Sequence, residues 1–161
     1  MSSAPSEAIR LEPGNSADLA GVMTIMTAAF SPSFGEAWTR SQCAGILPMS
    51  GVSLILARGT GSPRPIGFSL FRTVGDEAEL LLLAVAPVHQ GRGVGRLLLD
   101  EFIGRARSAG ATRVHLEVRD GNSAVDMYRR AGFTPAGRRQ KYYRGSDGRQ
   151  FDAITLACEL K

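Results

Sequence analysis

The stretch VAPVHQGRGVGRLLLDEF, Val85 to Phe102, sets Gly91, Gly93 and Gly95 at alternating positions between an apolar run and an amphipathic segment. Bare backbone of this kind suits a tight turn, a nucleotide-phosphate loop or a cradle for another anionic group. The dinucleotide fingerprint requires G-x-G-x-x-G, and Arg96 stands where its third glycine belongs. The phosphate-loop motif requires Lys and then Ser or Thr after its last glycine, and RLLL follows instead. What remains is a buried strand, a short glycine loop and a helix start, a geometry in which backbone N–H groups and the helix dipole face an anion. Three glycines in five residues also exceed what one turn needs.

Outward from that loop, the chain alternates strands and helices without an internal repeat. Upstream, AIRLEP reads as a first strand. A helix follows, capped by Asn15 or Ser16, with Leu19, Val22, Met23, Met26 and Phe30 on one stripe. A second helix is predicted from Trp38 to Leu47, stopped by Pro48. GVSLILARG and RPIGFSLFRTV read as two strands joined through GTGSPRP, and the apolar run of DEAELLLLAVAP predicts a central strand buried on both faces. Downstream, a helix is predicted over Val94–Ala109 with Gly110 as its C-terminal cap. TRVHLEVR alternates, so Val114, Leu116 and Val118 share one face while His115 and Glu117 share the other. A short helix opened by Asn122 and closed by Gly132 precedes a hairpin of RRQKYYRG and RQFDAITLACEL around GSDG. The order β-α-α-β-β-β-α-β-α-β-β predicts an α/β (α+β) chain, a mixed sheet with helices on its faces.

Length and composition bound the rest. At 161 residues, 43% apolar and 21% charged, the chain is expected to form a single domain, residues 1–161, with residues 1–7 a flexible N-terminus. The longest apolar run is too short to cross a bilayer, and MSSAPSEAIR has no apolar signal core, so a cytoplasmic protein without membrane contact is expected. Cys43 and Cys158 lie far apart without CxxC spacing and the two His residues form no paired motif, which predicts neither disulfide nor metal. The net charge of +4 suits an anionic partner, but no basic run interleaved with aromatics points to nucleic acid.

Gln90-Gly-Arg-Gly-Val-Gly95 resembles the Q/R-x-x-G-x-G/A signature of the Gcn5-related N-acetyltransferase (GNAT) family, and LLAVAP before it resembles that family's cofactor strand. The likeness runs from about Ile9 to Leu160, and its later half is similar to RimI-type enzymes, which acetylate protein N-termini. DEAELLLLAVAP, LEVRDGNSAVDMYRRAGF and GRRQKYYRGSDGRQFDAITL carry it. It implies a mostly antiparallel sheet of six to seven strands with about four helices, and an acetyl-CoA-dependent N-acetyltransferase that works by direct attack in a ternary complex on a primary amine. The acceptor it implies is a protein or peptide α-amine. A small-molecule amine acetyltransferase and a non-catalytic acetyl-CoA sensor are the alternatives, because the glycine loop specifies only the donor. A monomer and a homodimer are equally compatible with it.

The resemblance also assigns residues. Leu83, Ala84 and Val85 would lie along the pantetheine arm, and Gln90, Gly91, Arg92, Gly93, Val94, Gly95 and Arg96 would face the pyrophosphate. Asn122 would touch the donor too, although it stands six residues before Tyr128 where the family pattern has seven. An α-amine with a pKa near ~8 needs only a modest base. Glu117, matching the glutamate of the RimI-type LEVR motif, and Glu79, at an acidic position that serves some relatives through water, compete for that role. The plainer reading of each is a strand-end carboxylate satisfied by a nearby arginine. Tyr128 matches the tyrosine thought to protonate the departing thiolate; its plainer reading is a core aromatic. The oxyanion would meet a main-chain N–H near Val85. Tyr142 and Tyr143 fall where RimI-type enzymes line the peptide groove, and His115 reads as a packing or solvent-facing residue. Phe34 to Trp38, FGEAW, departs from the RimI-type pattern at a place where the family sets specificity.

Overall fold

The computed structural model describes residues 8–61 and 63–161; the expected flexible N-terminus, residues 1–7, and Ser62 of the GTGSPRP turn lie outside the described residues. In chain order the elements are β1 (Ile9–Pro13), α1 (Leu19–Ala29), α2 (Arg40–Ile46), β2 (Val52–Gly59), β3 (Pro65–Val74), β4 (Glu77–Val85), α3 (Val94–Ser108), β5 (Arg113–Arg119), α4 (Val125–Arg130), β6 (Thr134–Arg144) and β7 (Gln150–Glu159). The strands form one seven-stranded sheet ordered β1-β2-β3-β4-β5-β7-β6. Every neighbouring pair is antiparallel except β4 and β5. The fold expected from the sequence is therefore the fold observed.

Local chemistry explains the helix boundaries. Asn15 accepts from the Ala17 N–H while Asp18 accepts from the Asn15 N–H, a reciprocal cap on a 3-10 turn that leads into α1. Thr39 and Gln42 make the same exchange, so α2 starts at Arg40 rather than at Trp38. After α3, Gly110 takes φ +97°, the left-handed geometry of a helix C-terminal cap.

Side-chain alternation sorts the core into two layers. Val114, Leu116 and Val118 of β5 join Leu98, Leu99 and Phe102 of α3 on one face of the sheet. On the other face Leu19, Val22, Ile25 and Met26 of α1 cover Leu54, Leu56, Phe68, Leu70, Leu82 and Ala84. Phe102 is wholly buried against Phe71, with ring centroids 5.0 Å apart, so its truncation to Ala would cost about 3–5 kcal/mol.

Two irregularities of β4 create the site. The β3–β4 register passes from Leu70↔Leu82 to Phe71↔Leu80, leaving Leu81 as the extra residue of a bulge. Strand parity inverts there: Ala78 and Leu80 pack toward α3, whereas Leu82 and Ala84 pack toward α1. In addition, the parallel pairing of β4 with β5 runs only from Glu77↔Arg113 to Leu80↔Leu116, although β4 continues to Val85 and β5 to Arg119. The strands part beyond that point. The sequence expectation of a β4 buried on both faces is accordingly corrected: Leu81 and Leu83 are only partly buried, because they face the opening.

Candidate active site

The opening between β4 and β5 is a cleft of about 730 Å³. One wall is Leu81 to Val85, and the glycine loop stands at its end. Of the residues singled out from the sequence, Glu79, Leu83, Ala84, Val85, Gln90, Gly91, Gly93, Val94, Gly95, Arg96, Glu117, Asn122, Tyr128, Tyr142 and Tyr143 all line it. Arg92 does not.

The glycines have separate reasons. Gly91 (φ +78°) and Gly93 (φ +83°) hold left-handed backbone that L side chains rarely adopt, and open space lies over both Cα atoms. Gly95 has ordinary backbone, but a Cβ there would stand 3.3 Å from Met127 Sδ, so it lets the first turn of α3 sit close to α4. Gln90 folds back, its Nε2 donating to the Val85 carbonyl at 2.9 Å, which braces the loop against the strand end. Arg96 pairs with Asp100 at 2.9 Å one helical turn on, an exposed contact that an incoming anion can replace at little cost.

Glu117 and Tyr128 approach the cleft from opposite faces of the sheet. Tyr128 belongs to the α3-side core, 6% exposed and edge-to-face with Phe133 at 6.0 Å. Glu117 alternates with Leu116 and Val118 and so points to the other side. Only the parting of the strands lets both reach one space. Burial, and then the nearby Glu36 carboxylate, push the Tyr128 phenol well above the usual tyrosine range, so it is held protonated, the form that donates. Tyr143 is raised in the same direction by burial and then by Glu36 and Glu117. Tyr142, half exposed, stacks edge-to-face on Tyr143 at 5.0 Å and is raised by burial and then by Glu117.

Each candidate base has a partner. Glu117 Oε1 lies 2.8 Å from Arg139 Nε, on an arginine that is 62% exposed. Glu79 Oε2 lies 2.8 Å from His115 Nε2, so the histidine read as packing or solvent-facing holds a cleft carboxylate. Glu79 sits in the paired part of β4, while Glu117 is the first β5 residue beyond the last paired one.

Glu36 and Arg119 carry a feature that the sequence reading did not single out. Glu36 takes a hydrogen bond on each carboxylate oxygen, from Arg119 Nε at 2.9 Å and from Asn122 Nδ2 at 2.7 Å. Asn122 Oδ1 meanwhile accepts from the Ala124 N–H at 2.8 Å, fixing the approach to α4. Phe34 and Trp38 line the cleft beside Glu36. A signal was present: Glu36 is the only acidic residue between Asp18 and Asp76, and it lies in the FGEAW segment that departs from the RimI-type pattern.

No group of three or more His, Cys, Asp or Glu side chains among the described residues is arranged to hold a metal ion. No helix among them is long and apolar enough to cross a membrane.

Comparison with known proteins gives the class of this cleft. The profile of the acetyltransferase (GNAT) family matches residues 19–133, and the chain belongs to that family. It is similar to the [ribosomal protein bS18]-alanine N-acetyltransferase of Haemophilus influenzae, at 40% identity over 95 residues, 59% of this chain and 65% of that one. The match thus spans a little under two thirds of that relative's length. The enzyme of the same name from Haemophilus ducreyi is 31% identical over 136 residues, 79% of this chain and 94% of that one. Among solved structures, the ribosomal-protein-S18-alanine N-acetyltransferase from Escherichia coli superposes with a TM-score of 0.85 at 28% identity, covering 96% of this chain and 95% of that one. Arabidopsis thaliana NAA60 in complex with acetyl-CoA shares the fold, with a TM-score of 0.83 at 19% identity over 94% of this chain and 98% of that one.

Proposed function

We propose that this chain transfers the acetyl group of acetyl-CoA to a primary amine, the α-amine of a protein or peptide N-terminus, by direct attack in a ternary complex. The observation that carries the reading is the parting of β4 from β5, with a carboxylate and a protonated phenol brought to it from opposite faces and a glycine loop at its end. The relatives named for alanine N-acetylation of a ribosomal protein support the acceptor class.

The residues fit acetyl-CoA. Leu81 to Val85 offer a mostly apolar wall to a pantetheine arm, and the open space over Gly91 and Gly93 leaves their backbone accessible to a pyrophosphate. When bound, acetyl-CoA supplies the activated acyl group and a thiolate leaving group. Gln90, Gly91, Gly93, Val94, Gly95 and Arg96 would hold its phosphates. Arg92, outside the cleft lining, would add charge from the flank, and Asn122 is committed to Glu36 and α4 before any donor contact.

Glu117 takes the proton of the acceptor ammonium, directly or through water, because it stands at the parting of the strands. Glu79, held by His115, is the other candidate base. A main-chain N–H at the end of β4, near Val85, would meet the oxyanion. As the C–N bond forms and the C–S bond breaks, Tyr128 gives its proton to the thiolate and recovers one from the nitrogen that becomes the amide. Tyr142 and Tyr143, which line the cleft, would contact the acceptor. No metal enters this scheme. The reading carries one catalytic domain working in the cytoplasm, as a monomer or homodimer, without nucleic acid or membrane.

One observation favours a small amine as acceptor instead: the segment between α1 and α2 is bonded to the β6–β7 turn, from the Ser146 N–H to the Pro32 carbonyl at 3.0 Å, and walls one side of the cleft. Thiol release from acetyl-CoA with N-terminal peptides and with small amines separates the two. Acetylation of a peptide α-amine supports the first reading, and turnover of small amines alone refutes it.

A further inference from the structure

Beyond Leu80 and Leu116 the two halves of the sheet are no longer joined by strand pairing, yet the segment between α1 and α2 spans them. It leaves α1, which covers the β2–β4 half, and is fastened to the β5–β7 half. The fastenings are close. Arg119, the last residue of β5, holds its guanidinium carbon 3.7 Å over the Phe34 ring, and Phe34 meets Phe151 of β7 edge-to-face at 5.4 Å. Gly35 (φ +69°) passes so near β6 that a Cβ would fall 2.1 Å from the Arg144 carbonyl oxygen. At the centre stands Glu36, its side chain 10% exposed against 11% for Arg119, with both oxygens bonded.

We propose that Glu36 is a positioning residue, a tie that sets the acceptor wall of the cleft against α4 by bonding Arg119 and Asn122 at once. The proposal rests on the acetyltransferase reading above and adds a residue to it. Glu36 spans sequence separations of 83 and 86 residues through these two bonds. Asn122 passes the constraint to α4 through Ala124, four residues before Tyr128. A carboxylate is required because both partners are donors: an amide at position 36 would present one donor to another. Glu36 lines the cleft together with Tyr128 and Tyr143, and its charge raises both phenols, so the tie faces the same space as Tyr128.

The test is steady-state kinetics of the full chain with acetyl-CoA and whichever amine the wild-type protein acetylates, alongside thermal unfolding. Glu36→Gln is expected to raise the acceptor KM by about tenfold or more, the loss of one charge-assisted hydrogen bond, while leaving the acetyl-CoA KM within about twofold. Asn122→Asp, which sets carboxylate against carboxylate, is expected to raise the acceptor KM likewise and serves if the first variant does not fold. The double variant Glu36→Gln, Asn122→Asp reverses donor and acceptor across the contact, keeps an acceptor for Arg119, and is expected to recover most of the acceptor KM. An unchanged acceptor KM in a folded single variant overturns the proposal. So does a double variant no better than the singles, or a loss that follows the melting temperature with both KM values moving together. Failure of the wild-type protein to acetylate any amine overturns the proposed function instead, a result the variants are not needed to see.

Discussion

Leu80 and Leu116 are the last paired residues of β4 and β5, and the site follows from the strands separating there. Tyr128 reaches the gap from the α3 side and Glu117 from the other. Tyr128→Phe keeps the ring in contact with Phe133 and removes only the hydroxyl. It is expected to lower kcat by about 100-fold or more, the scale of general-acid catalysis, with a melting temperature close to wild type. Unchanged kcat would mean that Tyr128 is a core aromatic only.

The two carboxylates separate by the same geometry. Glu117 lies just past the last pair, and Glu79 lies before it, bonded to His115. Glu117→Gln is expected to reduce kcat/KM for the acceptor by about 100-fold, and Glu79→Gln by less than about tenfold. The opposite ranking would make Glu79 the base.

Gly93 opens α3 at φ +83° beneath open space. Gly93→Ala is expected to cost about 1–2 kcal/mol through left-handed strain, a melting temperature lower by several degrees, and to raise the acetyl-CoA KM more than the acceptor KM. Equal effects on both KM values would argue against a role in donor binding.

Tyr128 and Tyr143 are both raised in the folded state, chiefly by burial. An unfolded tyrosine ionises near about pH 10, so above that pH the unfolded chain loses protons that the folded chain retains, and unfolding is favoured. Their contribution is therefore intact below about pH 10 and is lost as pH rises through the higher folded values. Melting temperatures measured across the alkaline range should fall less steeply for Tyr143→Phe than for wild type; parallel curves would mean that Tyr143 ionises as freely folded as unfolded.

Strand parity in TRVHLEVR, the glycine loop and the helix caps made the sheet, α3 and most of the cleft legible in the sequence, because each is a local pattern with a local cause. The bulge at Leu81 was not legible: LLLL has no parity to break, so its face switch appears only once β3 fixes the register. Nor was the bond between Glu36 and Asn122, which joins residues 86 apart in sequence with no periodicity to reveal it. Arg92 shows the converse: the glycine-loop pattern assigned it to the anion, yet it stands outside the cleft lining.

The most direct test of the account is release of coenzyme A thiol by the purified protein supplied with acetyl-CoA and a panel of N-terminal peptides, including one beginning Ala-Arg, beside a panel of small amines. Turnover is expected on a peptide, with the acetyl group recovered on its α-amine. Measurable acetyl-CoA binding without transfer to any peptide would contradict it.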